Sequence, residues 1–132
     1  MRIGRQFIGF IVLALSGELT VASESATVYF VPFRVDTYVP ITKQTIRSAA
    51  WEKWIVTDRS RVSTLMKLLR GGKPHEFYNA DVRAVIYNGN EIFYVNKVGD
   101  VEAKDGSSRI DIRELSAFLS HMRDDERAVV HE

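Results

Sequence analysis

The sequence predicts a single α+β domain, with a mostly antiparallel sheet of four or five strands and two main helices packed on one face. Three observations lead there. Runs rich in β-branched and aromatic residues occupy 26–35, 53–57, 81–87 and 90–97. Residues 59–70 and 112 to 122 or 123 carry apolar side chains at helical spacing. Asn88-Gly89 sits between two of the strand runs, and that dipeptide readily takes the positive φ angles of a tight hairpin turn.

The first strand run, 26–35, is apolar on both faces through Val28, Tyr29, Phe30, Val31, Phe33 and Val35, and Pro32 predicts a break or bulge within it. Pro40 stops regular structure, after which Thr42 is placed to cap a short helix over 43–50. Residues 53–57 read as a short strand around Trp54, Ile55 and Val56. Asp58 is a good N-cap for the helix that follows. Val62, Leu65, Met66 and Leu69 form its buried stripe, and Gly71-Gly72 then Pro74 end it through a left-handed cap.

In the hairpin, Val82, Ala84 and Ile86 are expected on one face, while Ile92, Tyr94 and Asn96 share a face of the returning strand. A short third strand over 101–103 follows the Gly99-Asp100 turn, and Asp105-Gly106 turns again. Asp111 caps the last helix with Glu114 three residues on, and Leu115, Phe118, Leu119 and Met122 supply its stripe. The charged run from Asp124 to Arg127 is expected to fray.

The N-terminus predicts export. Arg2 and Arg5 precede an apolar core over 7–15, and Thr20, Val21, Ala22 and Ser23 offer small side chains for cleavage after Ala22 or Ser23. Glu18 interrupts the run well short of the roughly 20 apolar residues a membrane span requires. The domains are therefore a cleavable signal peptide, 1–23, and one globular domain, 24–132. The location is periplasmic or secreted in a bacterium, with no integral span after processing.

Of 132 residues, 45% are hydrophobic and 27% charged, which excludes a disordered or low-complexity chain. The absence of cysteine excludes disulfide scaffolds, thiolate zinc sites and thiol nucleophiles. Removing Arg2, Arg5 and Glu18 from 18 basic and 17 acidic side chains leaves sixteen of each. A neutral mature chain lacks the broad basic field of a non-specific nucleic-acid binder, so no nucleic-acid partner is expected. The neutrality is uneven: nine basic and four acidic residues lie over 43–83, against six and ten over 84–132.

Templates for chemistry fail one after another. His75, His121 and His131 are too far apart for a His-x-x-x-His pair. Asp100, Glu102 and Asp105-Gly106 lack the ligand alternation and distal Glu of a calcium loop. No Gly-x-Ser-x-Gly elbow or phosphate loop occurs. Neither a cofactor, a metal nor a catalytic set is assigned.

What remains is aromatic and basic. Trp51, Trp54, Tyr87 and Tyr94 are candidate contact residues, with Arg59, Arg61 and Arg70 as an electrostatic patch, because aromatics and arginine dominate interface hot spots. The partner class is another protein of the cell envelope. In type the chain resembles small periplasmic inhibitor and immunity proteins, which implies a non-catalytic protein working through protein–protein contacts. The alternatives are a small hydrolase using carboxylates and His75, or a small-ligand carrier.

Overall fold

The computed structural model describes residues 25–125 and 129–131. The predicted leader falls outside the described residues. In chain order the elements are β1 (Ala26–Phe30), α1 (Ile46–Ala49), β2 (Glu52–Val56), α2 (Arg59–Arg70), β3 (Lys73–Pro74), β4 (Val82–Asn88), β5 (Glu91–Asn96), β6 (Asp100–Ala103), β7 (Gly106–Arg109), α3 (Ile112–Arg123) and β8 (Val129–His131). The described strands form one antiparallel sheet in the order β8-β2-β1-β4-β5-β6-β7-β3.

The α+β class holds, but where four or five strands are expected the described residues form eight. β3 and β7 read Lys-Pro and Gly-Ser-Ser-Arg, so neither carries the apolar alternation by which a strand is recognised. β8 pairs with β2 from within a tail that follows the charged run from Asp124 to Arg127.

α2 and α3 pack on one sheet face. Their stripes of Val62, Leu65, Met66 and Leu69 and of Leu115, Leu119 and Met122 close over Val28, Phe30, Trp54, Ile86 and Phe93. Both helices start where a side chain satisfies their first free N–H groups: Asp58 accepts from Ser60 and Arg61, and Asp111 accepts from Arg113. Gly71 has φ −87°, so α2 does not end in a left-handed cap. Gly72 instead lets the chain pass so close to Arg109 that an added Cβ would lie 2.4 Å from its carbonyl oxygen.

The opposite face has a smaller apolar cluster of Val31, Ile41, Ile46, Val82 and Val85, covered by the segment that carries α1. Val82 was expected beside Ala84 and Ile86. A β-bulge between Val82 and Ala84 shifts the register, so Val82 joins the second cluster. The hairpin also turns one residue later than expected. Asn88 pairs with Glu91, leaving Gly89 and Asn90 as the loop, and only Gly89 has a positive φ, the pattern of a type II′ turn.

The uneven charge distribution does not separate into two faces. Lys43–Glu102, Arg61–Asp125 and Arg70–Glu91 each join the basic stretch to the acidic one.

Candidate functional site

Antiparallel pairing brings the end of β1, the starts of β2 and β4, the end of β5 and the start of β6 to one end of the sheet. The connections there, two of them long (31–45 and 75–81), carry apolar side chains where a loop is ordinarily polar. Among the described residues six large apolar side chains are exposed, and five of them belong to this end: Tyr38, Val39, Trp51, Tyr78 and Val98. Ile92, beside the hairpin turn, is the sixth.

Specific bonds hold these loops. The Trp51 amide donates to the Phe30 carbonyl at 3.0 Å, and the Val82 amide donates to the Ile41 carbonyl at 2.7 Å. Asn96 Nδ2 donates to the Tyr78 carbonyl at 3.1 Å. Asp81, the last residue before β4, sits in the left-handed region at φ 55°, a conformation that costs a non-glycine residue on the order of 1 kcal/mol. Lys97 Nζ lies 2.8 Å from Asp36, and this hydrogen bond and its charge hold the Asp36 carboxyl below the usual carboxylate range.

Beside Phe30, whose carbonyl the Trp51 amide bonds, runs a groove of about 480 Å³ between residues 30–34 and α3. Phe30 and Phe33, edge to face at 5.2 Å, contribute to its apolar side. Arg34, Arg113 and Arg123 are its charged lining, and none of its lining residues is acidic. Arg113 is tied to Asp111 at 3.2 Å and Arg123 to Glu52 at 3.1 Å, whereas Arg34 is exposed and makes no hydrogen bond or ion pair among the described residues. On the opposite sheet face, with Val31 and Val85, Arg83 is 1% exposed, its Nε and Nη1 make no hydrogen bond among the described residues, and its charge acts on Asp36. The Arg83 carbonyl accepts from the amide of Val31, one residue before the groove-lining Pro32.

The candidate contact residues of the sequence are dispersed. Trp51, 62% exposed, belongs to the loop end. Trp54 is fully buried in the main core, where it meets Phe30 edge to face and its indole N–H donates to Glu52 at 3.0 Å, so it has no surface to offer. Arg59 and Arg70 stand at opposite ends of α2, about 16 Å apart along its axis. Arg61 pairs with Asp125 at 3.1 Å; Arg70 pairs with Glu91 and lies over the Phe93 ring.

Tyr87 and Tyr94 lie on the other sheet face. Tyr87 meets Tyr29 edge to face at 6.0 Å, and Arg47 stands over both rings at 5.9 and 5.4 Å. Burial pushes the Tyr87 phenol up against the pull of Arg47, so it stays protonated at neutral pH. Lys43 lies 5.6 Å from the Tyr94 ring and 2.5 Å from Glu102. These cations clamp the α1 segment to the sheet, a structural use of the same residue types.

Farther along that face a polar cluster surrounds Asp100, which is 1% exposed. Its carboxylate takes Arg109 Nε at 2.8 Å, Asn96 Nδ2 at 3.0 Å and His75 Nδ1 at 3.1 Å. Burial works against ionisation, but the bonds from Arg109 and Asn96 and the charges of Arg109 and His75 outweigh it, and the carboxyl lies below its usual range. Among the described residues no group of three His, Asp or Glu is placed to hold a metal ion, and no helix is long and apolar enough to cross a membrane.

Tyr38, Val39, Tyr78 and Val98 are not among the candidate contact residues of the sequence, because none lies in an apolar run of strand or helix spacing. The available signal was apolar residues in segments broken by proline, asparagine and glycine, where a surface loop has no core to fill. Compared with protein families, with characterised proteins and with solved structures, the chain matches none.

Proposed function

We propose that the protein is an exported, non-catalytic binding protein of the bacterial envelope, an inhibitor or immunity protein that engages another protein through the loop end of its sheet. The observation that carries this is the gathering of Tyr38, Val39, Trp51, Tyr78 and Val98 at one end. Exposed apolar residues scattered singly need no explanation, but a concentration of them beside arginines is the composition of a contact surface. The N-terminal sequence supports export, with cleavage after Ala22 or Ser23.

The test is affinity capture from an envelope extract, comparing the natural protein with a Tyr38→Ala/Trp51→Ala/Tyr78→Ala variant. A discrete protein retained by the first and lost by the second, at unchanged melting temperature, supports the proposal. Retention of nothing at low and moderate salt, or equal retention by both, rejects it. Mass spectrometry of the natural protein reads the processing site, and an intact N-terminus would replace the periplasmic assignment with a membrane-anchored one.

A second reading, a small hydrolase using carboxylates and His75, draws on one observation: His75 and Asp100 are in contact at 3.1 Å. That pairing orients an imidazole as a general base would need. The Asp100 carboxylate is already bonded by Arg109 and Asn96, and no hydroxyl lies within hydrogen-bond distance of the His75 ring among the described residues. Turnover of ester or peptide substrates that disappears in His75→Gln would reverse the order of the two readings.

A further inference from the structure

We infer that the groove between residues 30–34 and α3 receives an acidic peptide segment of the partner, one that also carries an apolar side chain. This rests on the binding proposal above and adds the place and the chemistry of recognition.

Charge complementarity is the main argument. All the charge in the groove lining is positive, from Arg34, Arg113 and Arg123. Asp111 and Glu52 hold Arg113 and Arg123 in place, yet a guanidinium has five N–H donors, and these ion pairs leave donors over on each. Arg34 is free of such bonds among the described residues. Ser116 and Ser120, four apart on α3 and therefore on one helix face, add hydroxyls to the same wall.

The shape distinguishes a peptide from a lone anion. At about 480 Å³ the groove lies within the range of roughly 300–1,000 Å³ that organic ligands fill, and it is open along one side. Phe30 and Phe33 give an apolar side chain something to touch. Exposed Trp51, whose amide bonds the carbonyl of groove-lining Phe30, extends the footprint beyond anything an inorganic anion would use.

The experiment is fluorescence anisotropy on the whole protein with three labelled peptides, Glu/Phe, Gln/Phe and Lys/Phe, matched in length. Binding of the Glu/Phe peptide should exceed that of the Gln/Phe peptide by about tenfold or more and weaken with salt, as charge-directed association does. Ser116→Trp, which fills the groove, should abolish it, and Arg34→Glu should weaken it about tenfold. Arg34 is exposed, so that variant keeps the test decisive if Ser116→Trp fails to fold. Equal affinity for Gln/Phe, displacement by millimolar inorganic phosphate, or binding to phosphatidylglycerol vesicles but to no peptide would each overturn the inference. If no peptide binds while Trp51-dependent capture persists, the groove is wrong and the binding proposal stands. Peptide binding without any captured protein separates the two the other way.

Discussion

The Nδ1 of His75 lies 3.1 Å from the carboxylate of Asp100 and 2.8 Å from the carbonyl of Glu76. Both neighbours can only accept, so Nδ1 carries the proton in the neutral ring and Nε2 keeps the lone pair. Asp100 in turn gathers Arg109 and Asn96, and its own amide donates to Asn96 Oδ1 at 2.8 Å. One buried carboxylate thereby joins the ends of β5, β6 and β7 to the loop that continues β3.

Asp100→Ala should lose about 1.5–3 kcal/mol of stability, the usual worth of hydrogen bonds to a charged group, since Arg109 and His75 are exposed enough to be solvated once freed. The folded-state carboxyl titrates below its ordinary 3.8, so its contribution is complete above that value and lost as pH falls through the folded one. Urea melts from pH 7 down to pH 3 should show wild type losing stability at the acid end more steeply than Asp100→Asn. Parallel curves would mean that the cluster is not what responds.

The two tryptophans should separate cleanly. Trp54→Ala removes the largest fully buried side chain and is expected to cost about 3–5 kcal/mol, near the whole stability of a small domain. Trp51→Ala should stay within about 0.5 kcal/mol of wild type while reducing partner capture. Chemical denaturation of both, alongside the capture assay, checks the pair.

Arg83→Met should stabilise the fold by about 1 kcal/mol, because a thioether of similar length does not have to be stripped of water without compensation. Binding of the Glu/Phe peptide should be unchanged, because Arg83 shares the Val31/Val85 face of the sheet and does not line the groove. A loss of stability would instead show that Arg83 is satisfied within the fold.

Gly72→Ala places a Cβ 2.4 Å from the Arg109 carbonyl oxygen and 2.8 Å from Ile110 Cγ2. Backbone cannot yield as a flexible side chain does, so the cost should be about 1–3 kcal/mol, felt first where β3 meets β7. Amide exchange should quicken at Lys73 and His75 while β1 and β4 remain protected. Unchanged protection would count against this close approach.

Much of the secondary structure is determined by sequence alone. Asp58 and Asp111 begin helices whose apolar stripes recur at helical spacing, and the turn at Gly89 joins two strand-forming runs. These features are local: a cap reaches three residues, a stripe spans a few turns, and a hairpin closes on its own neighbours. β3 and β8 have no such local cause, since each pairs only with a strand distant in the chain, and β7, though it closes a hairpin with β6, carries no apolar alternation. The bulge at Val82 likewise follows from pairing, and it moves one side chain to the other face against the alternation. The candidate site lies wholly on this second side. Tyr38, Trp51, Tyr78 and Val98 are separated along the chain and meet at one end only because antiparallel strands return there. The composition determined that aromatics and arginines would be available; tertiary pairing decided that Trp54 enters the core while Trp51, three residues earlier, faces the solvent. Alternation along β2 assigns Trp54 to the covered face, but Trp51 precedes the strand, where no such alternation acts.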